Sequence, residues 1–265
     1  MENRELFELE LSDGPSLRLH ERLVGDIESE YPWAALDPAQ HSPLAVERAR
    51  LAWTQNAYNE YLAVGAMGGL LVALAQARAP IDFWSVVSRF ALEEVRHVEL
   101  SARIATQLGG GAPVAFSPAD VVPTVDPSLP PLQRATELVV RILCVGEGLS
   151  HPILRGSMEV ATNPLIRAVL RTIVAEEAPH ARLGWLYLDW VASQLAPGER
   201  ERLAAVARET VDHYAQLWDR MSRGPLEERH TEALGFMTPP QYVAVARAAV
   251  DAELRPRLAS YGIVL

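Results

Sequence analysis

The octapeptide Phe90-Ala-Leu-Glu93-Glu94-Val-Arg96-His97 has a near copy 83 residues later, Ile173-Val-Ala-Glu176-Glu177-Ala-Pro179-His180. Each copy holds Glu-x-x-His inside a long segment of helical periodicity. Residues three apart share one helix face, so a carboxylate oxygen and an imidazole nitrogen from each copy can bind one ion. Two such pairs are half of a carboxylate-bridged two-metal site, and the other half is a lone glutamate on each of two further helices. The chain offers Glu60 and Glu147.

The proline and glycine punctuation supplies those helices. Ser42-Pro43 reads as an N-cap with proline in the first turn, opening a helix to about Ala77. Ala79-Pro80 breaks it, and a second helix runs from Ile81 to about Leu108. Gly109-Gly110-Gly111-Ala-Pro113 ends that one. The proline-rich stretch to Pro131 is too long for a tight turn and suits a crossover. A third helix covers about Leu132 to Val160, and Asn163-Pro164 makes a second short break. A fourth helix runs on to about Leu195. Two more are expected at Glu199–Arg223, ended by Gly224-Pro225, and at Pro239–Leu258. Residues 1–41 read as an irregular lead-in with one short helix, Leu17–Glu30. The whole reads as a single domain: lead-in 1–41, four-helix unit 42–195, accessory helices 196–265.

Paired residues in an antiparallel hairpin lie equally far from its turn. The midpoint of Glu60 and Glu94 is residue 77, beside the first break; that of Glu147 and Glu177 is residue 162, inside the second. Four glutamates and two histidines therefore reach one level. The stripes around them are mostly apolar: Ala49, Trp53, Asn56, Val64, Met67 and Leu71 accompany Glu60. Ionised carboxylates in such a core are costly unless paired or metal-bound, and four together repel one another. Two divalent cations remove that repulsion. Carboxylate and imidazole donors suit iron or manganese, with Mn/Fe or Mn alternatives to two irons, and no thiolate stands at ligand spacing. Glu93 and Glu176 sit about 100° around their helices. Each is placed to accept the spare N–H of the histidine on the opposite helix, although ordinary solvated charges are the competing reading.

The pattern Glu60, Glu94 with His97, Glu147, Glu177 with His180 resembles the ferritin-like di-iron carboxylate superfamily over residues 42–195. The resemblance implies an all-α, ferritin-like four-helix bundle with a long crossover between its second and third helices. It implies that Glu60, Glu94, His97, Glu147, Glu177 and His180 are metal ligands and catalytic residues. Within that superfamily one site supports several chemistries; the extra residues before 42 and after 195, which can build a substrate pocket on the bundle, favour an oxygen-activating oxidase or monooxygenase that uses dioxygen and an external electron donor on a small organic substrate. The alternative is a ferroxidase or metal-handling protein without organic substrate; a metal-free helical interaction protein is the third reading. A radical-bearing reductase subunit carries a tyrosine one turn after its first histidine, where this chain has Ser101. Arylamine N-oxygenases carry an extra histidine one turn before the last glutamate, where it has Ile173. Aldehyde-deformylating oxygenases, acyl desaturases and tRNA-hydroxylase types share the six-residue pattern.

Other residues carry weaker signals. His151 shares a face with Glu147, as a seventh ligand, as a group that touches substrate or, the favoured reading, as a hydrogen-bonded core histidine. Cys144 reads as a small buried residue, and a lone cysteine gives no disulfide framework. Tyr58, Tyr61 and Tyr187 read as core or interface rather than redox residues, and His213 as structural or surface. Gly65, Gly68, Gly69, Gly146 and Gly148 either make room for a molecule or allow close helix packing. The net charge of −10, with 24 basic residues, all arginine, argues against a sequence-blind grip on nucleic acid. No unbroken apolar run reaches the ~20 residues of a membrane span, and the start is acidic rather than signal-like. The expectation is a cytoplasmic chain with no membrane partner, in which a homodimer is compatible with everything above.

Overall fold

A computed structural model of the chain describes residues 4–223 and 231–265. The expected break at Gly224-Pro225 lies outside the described residues. The chain is mostly helical. Strand β1 (Arg4–Phe7) is followed by α1 (Gly14–Val24), α2 (Ile27–Glu30), α3 (Pro43–Ala77) and α4 (Ile81–Gln107). Strand β2 (Ala112–Ala115) precedes α5 (Pro131–Val139), a π-helical stretch Val140–Gly146, α6 (Glu147–Val160) and α7 (Pro164–Val191). Helix α8 (Pro197–Arg223), α9 (Pro239–Ala249), a second π stretch Val250–Leu254 and α10 (Arg255–Ser260) complete it.

The breaks fall where proline placement puts them. Ser42 caps α3, its hydroxyl accepting from the Ala45 amide at 3.2 Å, with Pro43 in the first turn. Arg78, at φ 54°, closes α3 in the left-handed conformation before Ala79-Pro80. Asn163 caps α7 by accepting from the Leu165 and Ile166 amides. Its amide also donates to the Ala35 carbonyl at 2.9 Å and so ties the lead-in to this turn.

Several expectations change. The lead-in is not irregular: the single helix Leu17–Glu30 is two helices, parted at Gly25, whose φ of 91° a helix cannot contain. Residues 4–7 pair antiparallel with 112–115, Arg4 opposite Ala115 and Phe7 opposite Ala112. This small ribbon stitches the lead-in to the crossover, a long-range pairing no local pattern announces. The third helix is interrupted by the π stretch, whose i→i+5 hydrogen bonds widen the turn directly before Glu147. The fourth stops at Val191 and tightens into a 3₁₀ turn at Ala192–Gln194.

α3 packs along α4, and α6 along α7. Apolar side chains gather in two clusters. One holds Met67, Leu70, Phe90, Leu143 and Leu188, with α8 to α10 packed on it. The other holds Trp53, Leu100, Leu165 and Ile173, together with Val24, Ile27 and Tyr31 of the lead-in. In α4 the buried members pass from one cluster to the other between Phe90 and Leu100, and in α7 between Ile173 and Leu183, the spans that carry Glu93–His97 and Glu176–His180. By length and composition α3 is long enough and apolar enough to cross a membrane, and 22% of its apolar window is buried. Small residues keep mean hydropathy high along α3, although no unbroken apolar run of ~20 residues occurs in it, and the core helix of a globular fold meets the same length and composition test.

The glycines mostly serve close packing. A Cβ on Gly65 would stand 2.4 Å from the Val121 carbonyl oxygen, and one on Gly69 would stand 2.5 Å from the Val122 side chain. The crossover thus lies directly on α3. Gly148 receives Leu254 in the same way, while Gly68 faces open space.

Candidate metal centre

Six side chains from four helical segments converge in two groups that share two members. Glu60, Glu94, His97 and Glu177 form one; Glu94, Glu147, Glu177 and His180 form the other. Within each, one potential ligand atom per residue lies within 4.8 Å of the rest. Glu94, Glu177, His97 and His180 are buried almost completely. Glu60, on the less enclosed side, keeps partial exposure.

The inner and outer faces of each histidine differ. His97 Nδ1 lies 3.2 Å from Glu177 and 3.4 Å from Glu94. His180 Nδ1 lies 3.1 Å from each of the same two carboxylates. None of these contacts has hydrogen-bond geometry: both Nδ1 atoms, both Glu94 oxygens and Glu177 Oε2 are buried without a hydrogen-bond partner among the described residues. Buried unpaired polar atoms are uncommon and cost about 1–3 kcal/mol each. Here all of them point into one space and all are metal donors. The outer Nε2 atoms are satisfied: His97 meets Glu176 at 2.9 Å and His180 meets Glu93 at 3.1 Å, each on the opposite helix. Once the ring is neutral, that bond keeps its proton on Nε2, so Nδ1 is the nitrogen left to ligate. The donor set therefore fits metal ions, and a buried Glu/His cluster of this make-up can hold one.

The charges tell the same story. Burial, and then the neighbouring Glu94 and Glu177 carboxylates, push the Glu60 and Glu147 carboxyls well above the usual carboxylate range. Burial also opposes charge on Glu177, but His180 and His97 overturn it and hold that carboxyl below its ordinary value. For the histidines burial favours the neutral ring. The surrounding carboxylates outweigh it, raising His97 well above its ordinary value and His180 to about 12. Without a cation the cluster balances itself with protons.

A network the sequence reading missed lies outside the histidines. Arg89 donates to Glu93 at 2.7 Å, and Arg96 donates to Glu176 at 2.8 Å and to Glu30 at 2.6 Å. The Tyr31 hydroxyl accepts from Arg96 at 3.2 Å and donates to Thr172 at 3.0 Å. Its only sequence signal is the mismatch between the two octapeptides: Arg96 stands where the copy has Pro179.

Glu60 and Glu147 also line a cavity of about 1710 Å³ running beside α3 and α6. Ala63, Ala66, Ile142 and Ile153 give it apolar walls, and Asn56 and Tyr214 bring polar groups. Burial, followed by the charge of Glu147, raises the Tyr214 hydroxyl to about 12, so it remains a hydrogen-bond donor. Gly146 lines this cavity too.

The remaining candidates fall elsewhere. His151 is half-buried, belongs to neither group and makes no hydrogen bond among the described residues. Cys144 is buried against Gly184. The buried Tyr187 hydroxyl meets Thr136 at 3.2 Å, and Tyr58 and Tyr61 pack edge-on against Phe7. His213 is exposed and lies at the cavity rim. Comparison with protein-family models, curated proteins and solved structures returned no match.

Proposed function

We propose that this chain is an oxygen-activating, non-haem di-iron oxidase or monooxygenase of ferritin-like architecture, acting on a small organic substrate. The observation that carries the reading is that Glu60 and Glu147, one unique to each group, both line a cavity large enough for an organic molecule. Drug-sized ligands occupy pockets of roughly 300–1,000 Å³, so the cavity exceeds what iron entry alone requires.

Each residue has a definite task. Glu94 and Glu177 belong to both groups and would span two ions, while Glu60 with His97, and Glu147 with His180, complete one position each. Bound there, two irons supply the redox chemistry of dioxygen, drawing electrons from an external donor. Glu176 and Glu93 hold the outer imidazole protons, keeping Nδ1 aimed inward. Ala63, Ala66 and Ile153 would offer an apolar wall to the substrate, and the Tyr214 hydroxyl can donate to a polar group of it.

Anaerobic loading with ferrous iron, elemental analysis and oxygen exposure under optical observation test the proposal. We expect about two irons per chain and an oxygen-dependent transient whose decay is hastened by an organic substrate. Steady iron oxidation with no such dependence, in large assemblies, would mean a ferroxidase instead. Absence of stoichiometric metal would overturn the assignment.

A further inference from the structure

The two halves of the site are copies in their inner residues but not in what holds them. Residues 89–97 and 172–180 align as Arg-Phe-Ala-Leu-Glu-Glu-Val-Arg-His and Thr-Ile-Val-Ala-Glu-Glu-Ala-Pro-His. Both arginines belong to the first copy, and each serves a different histidine. Arg89 reaches Glu93 within its own helix, and its side chain is 75% exposed. Arg96 reaches across to Glu176 on α7, is only 20% exposed, and is held on its far side by Glu30 and Tyr31 of the lead-in. The relay on one side runs His97, Glu176, Arg96, then Glu30 and Tyr31, with Tyr31 anchored on Thr172. On the other side, among the described residues, it ends at Arg89, whose side chain is largely in solvent.

We propose that the Glu30–Tyr31 segment, acting through Arg96 and Glu176, is a positioning element for His97 that makes the Glu60–His97 half bind its ion more tightly than the Glu147–His180 half. This rests on the two-metal reading above. Two physical effects have the same sign. The Glu30 carboxylate neutralises part of the Arg96 charge, so Arg96 withdraws less from Glu176, and Glu176 leaves the His97 ring a better donor. The clamp also fixes the Glu176 carboxylate in place, so His97 loses less freedom on binding a metal. An exposed arginine on a single carboxylate, screened by water, contributes little of either. Partners beyond the ligands change metal affinity by roughly 10–100-fold when removed.

The test uses the full chain, with Mn(II) as probe, followed by titration calorimetry and by the electron paramagnetic resonance of bound Mn(II). Glu147→Ala leaves the Glu60–His97 half intact, and Glu60→Ala leaves the other half intact. Into each is placed Glu30→Ala, with circular dichroism verifying the fold. We expect Glu30→Ala to weaken the single ion about tenfold in the Glu147→Ala background and less than about threefold in the Glu60→Ala background. Glu30→Asp should restore most of the loss, and Arg89→Ala should leave both backgrounds within about threefold. Equal effects of Glu30→Ala in the two backgrounds, or none in either, overturn the inference while leaving the two-metal site standing. An unsubstituted chain that binds no Mn(II) refutes the two-metal reading itself.

Discussion

His180 on α7 meets Glu93 on α4 at 3.1 Å, and His97 on α4 meets Glu176 on α7 at 2.9 Å, so each histidine is oriented by the helix that carries the other. The cross-bracing locks the two helices and leaves both Nδ1 atoms aimed at the same carboxylates. Replacing Glu93 or Glu176 with glutamine keeps the size and a hydrogen-bond acceptor but removes the charge that raises ring basicity. Each single variant should lose roughly 10–100-fold in metal affinity with little change in helicity. Calorimetric titration with Fe(II) or Mn(II) measures it; an unchanged affinity would mean that these bonds only stitch helices together.

Metal binding should release protons. In the metal-free protein, Glu60, Glu147, His97 and His180 all hold protons well above their ordinary pKa values of 4.5 and 6.5. Ligation requires the anionic carboxylate and the neutral ring. The sign follows directly. For these four groups the raised pKa stabilises the metal-free fold at low pH, and that contribution is lost as pH climbs above the ordinary values. Metal affinity runs the other way and should rise with pH from about 6 to 8, by up to about two log units per pH unit for each ion if all four protons leave. Titrations in two buffers of different ionisation enthalpy count the protons; a count near zero contradicts this charge balance.

The convergence of six side chains was legible because helical periodicity is local. The Glu-x-x-His spacing, the apolar stripes and the two proline breaks fix levels without knowledge of any tertiary contact. The breaks observed at Arg78–Pro80 and at Asn163 are the ones that symmetry needed. What stayed hidden is long-range. Nothing near Arg4 announces Ala115 as its partner, and nothing near Glu30 points to Arg96, 66 residues on. The π stretch before Glu147 was equally unreadable, because Val140–Gly146 has a composition that suits an ordinary α-helix. Of the five glycines near the ligands, Gly65, Gly69 and Gly148 follow close packing and Gly146 lines the cavity, a division that depends on what each one faces.

Stoichiometry should separate shared from unshared residues. Glu94 and Glu177 belong to both groups, whereas Glu60 and Glu147 belong to one each. Glu94→Ala or Glu177→Ala should therefore reduce bound metal from about two ions to nearly none, and Glu60→Ala or Glu147→Ala should leave about one. The metal-free forms of the first pair should still fold, since each removes a member of a crowded set of carboxyls. Elemental analysis after desalting reads the outcome. Two ions retained in Glu94→Ala would break the assignment of that residue to both positions.

Gly65 and Gly68 lie three residues apart on α3 and should respond to alanine in opposite directions. At Gly65 the new methyl would meet the Val121 carbonyl oxygen at 2.4 Å, and a backbone atom cannot swing aside as a flexible side chain can. Either the crossover lifts from α3 or the helix shifts, and overpacking of this kind costs about 1–3 kcal/mol. At Gly68 nothing lies within 4 Å, so alanine brings only the helix-propensity gain of roughly 0.5–1 kcal/mol. Urea unfolding of the metal-free chain compares them without interference from ligand binding. If Gly65→Ala matched Gly68→Ala in stability, the crossover would not be seated on α3. Because Ala119, Asp120 and Pro123 of that same segment line the cavity, such a result would remove one of its walls as well.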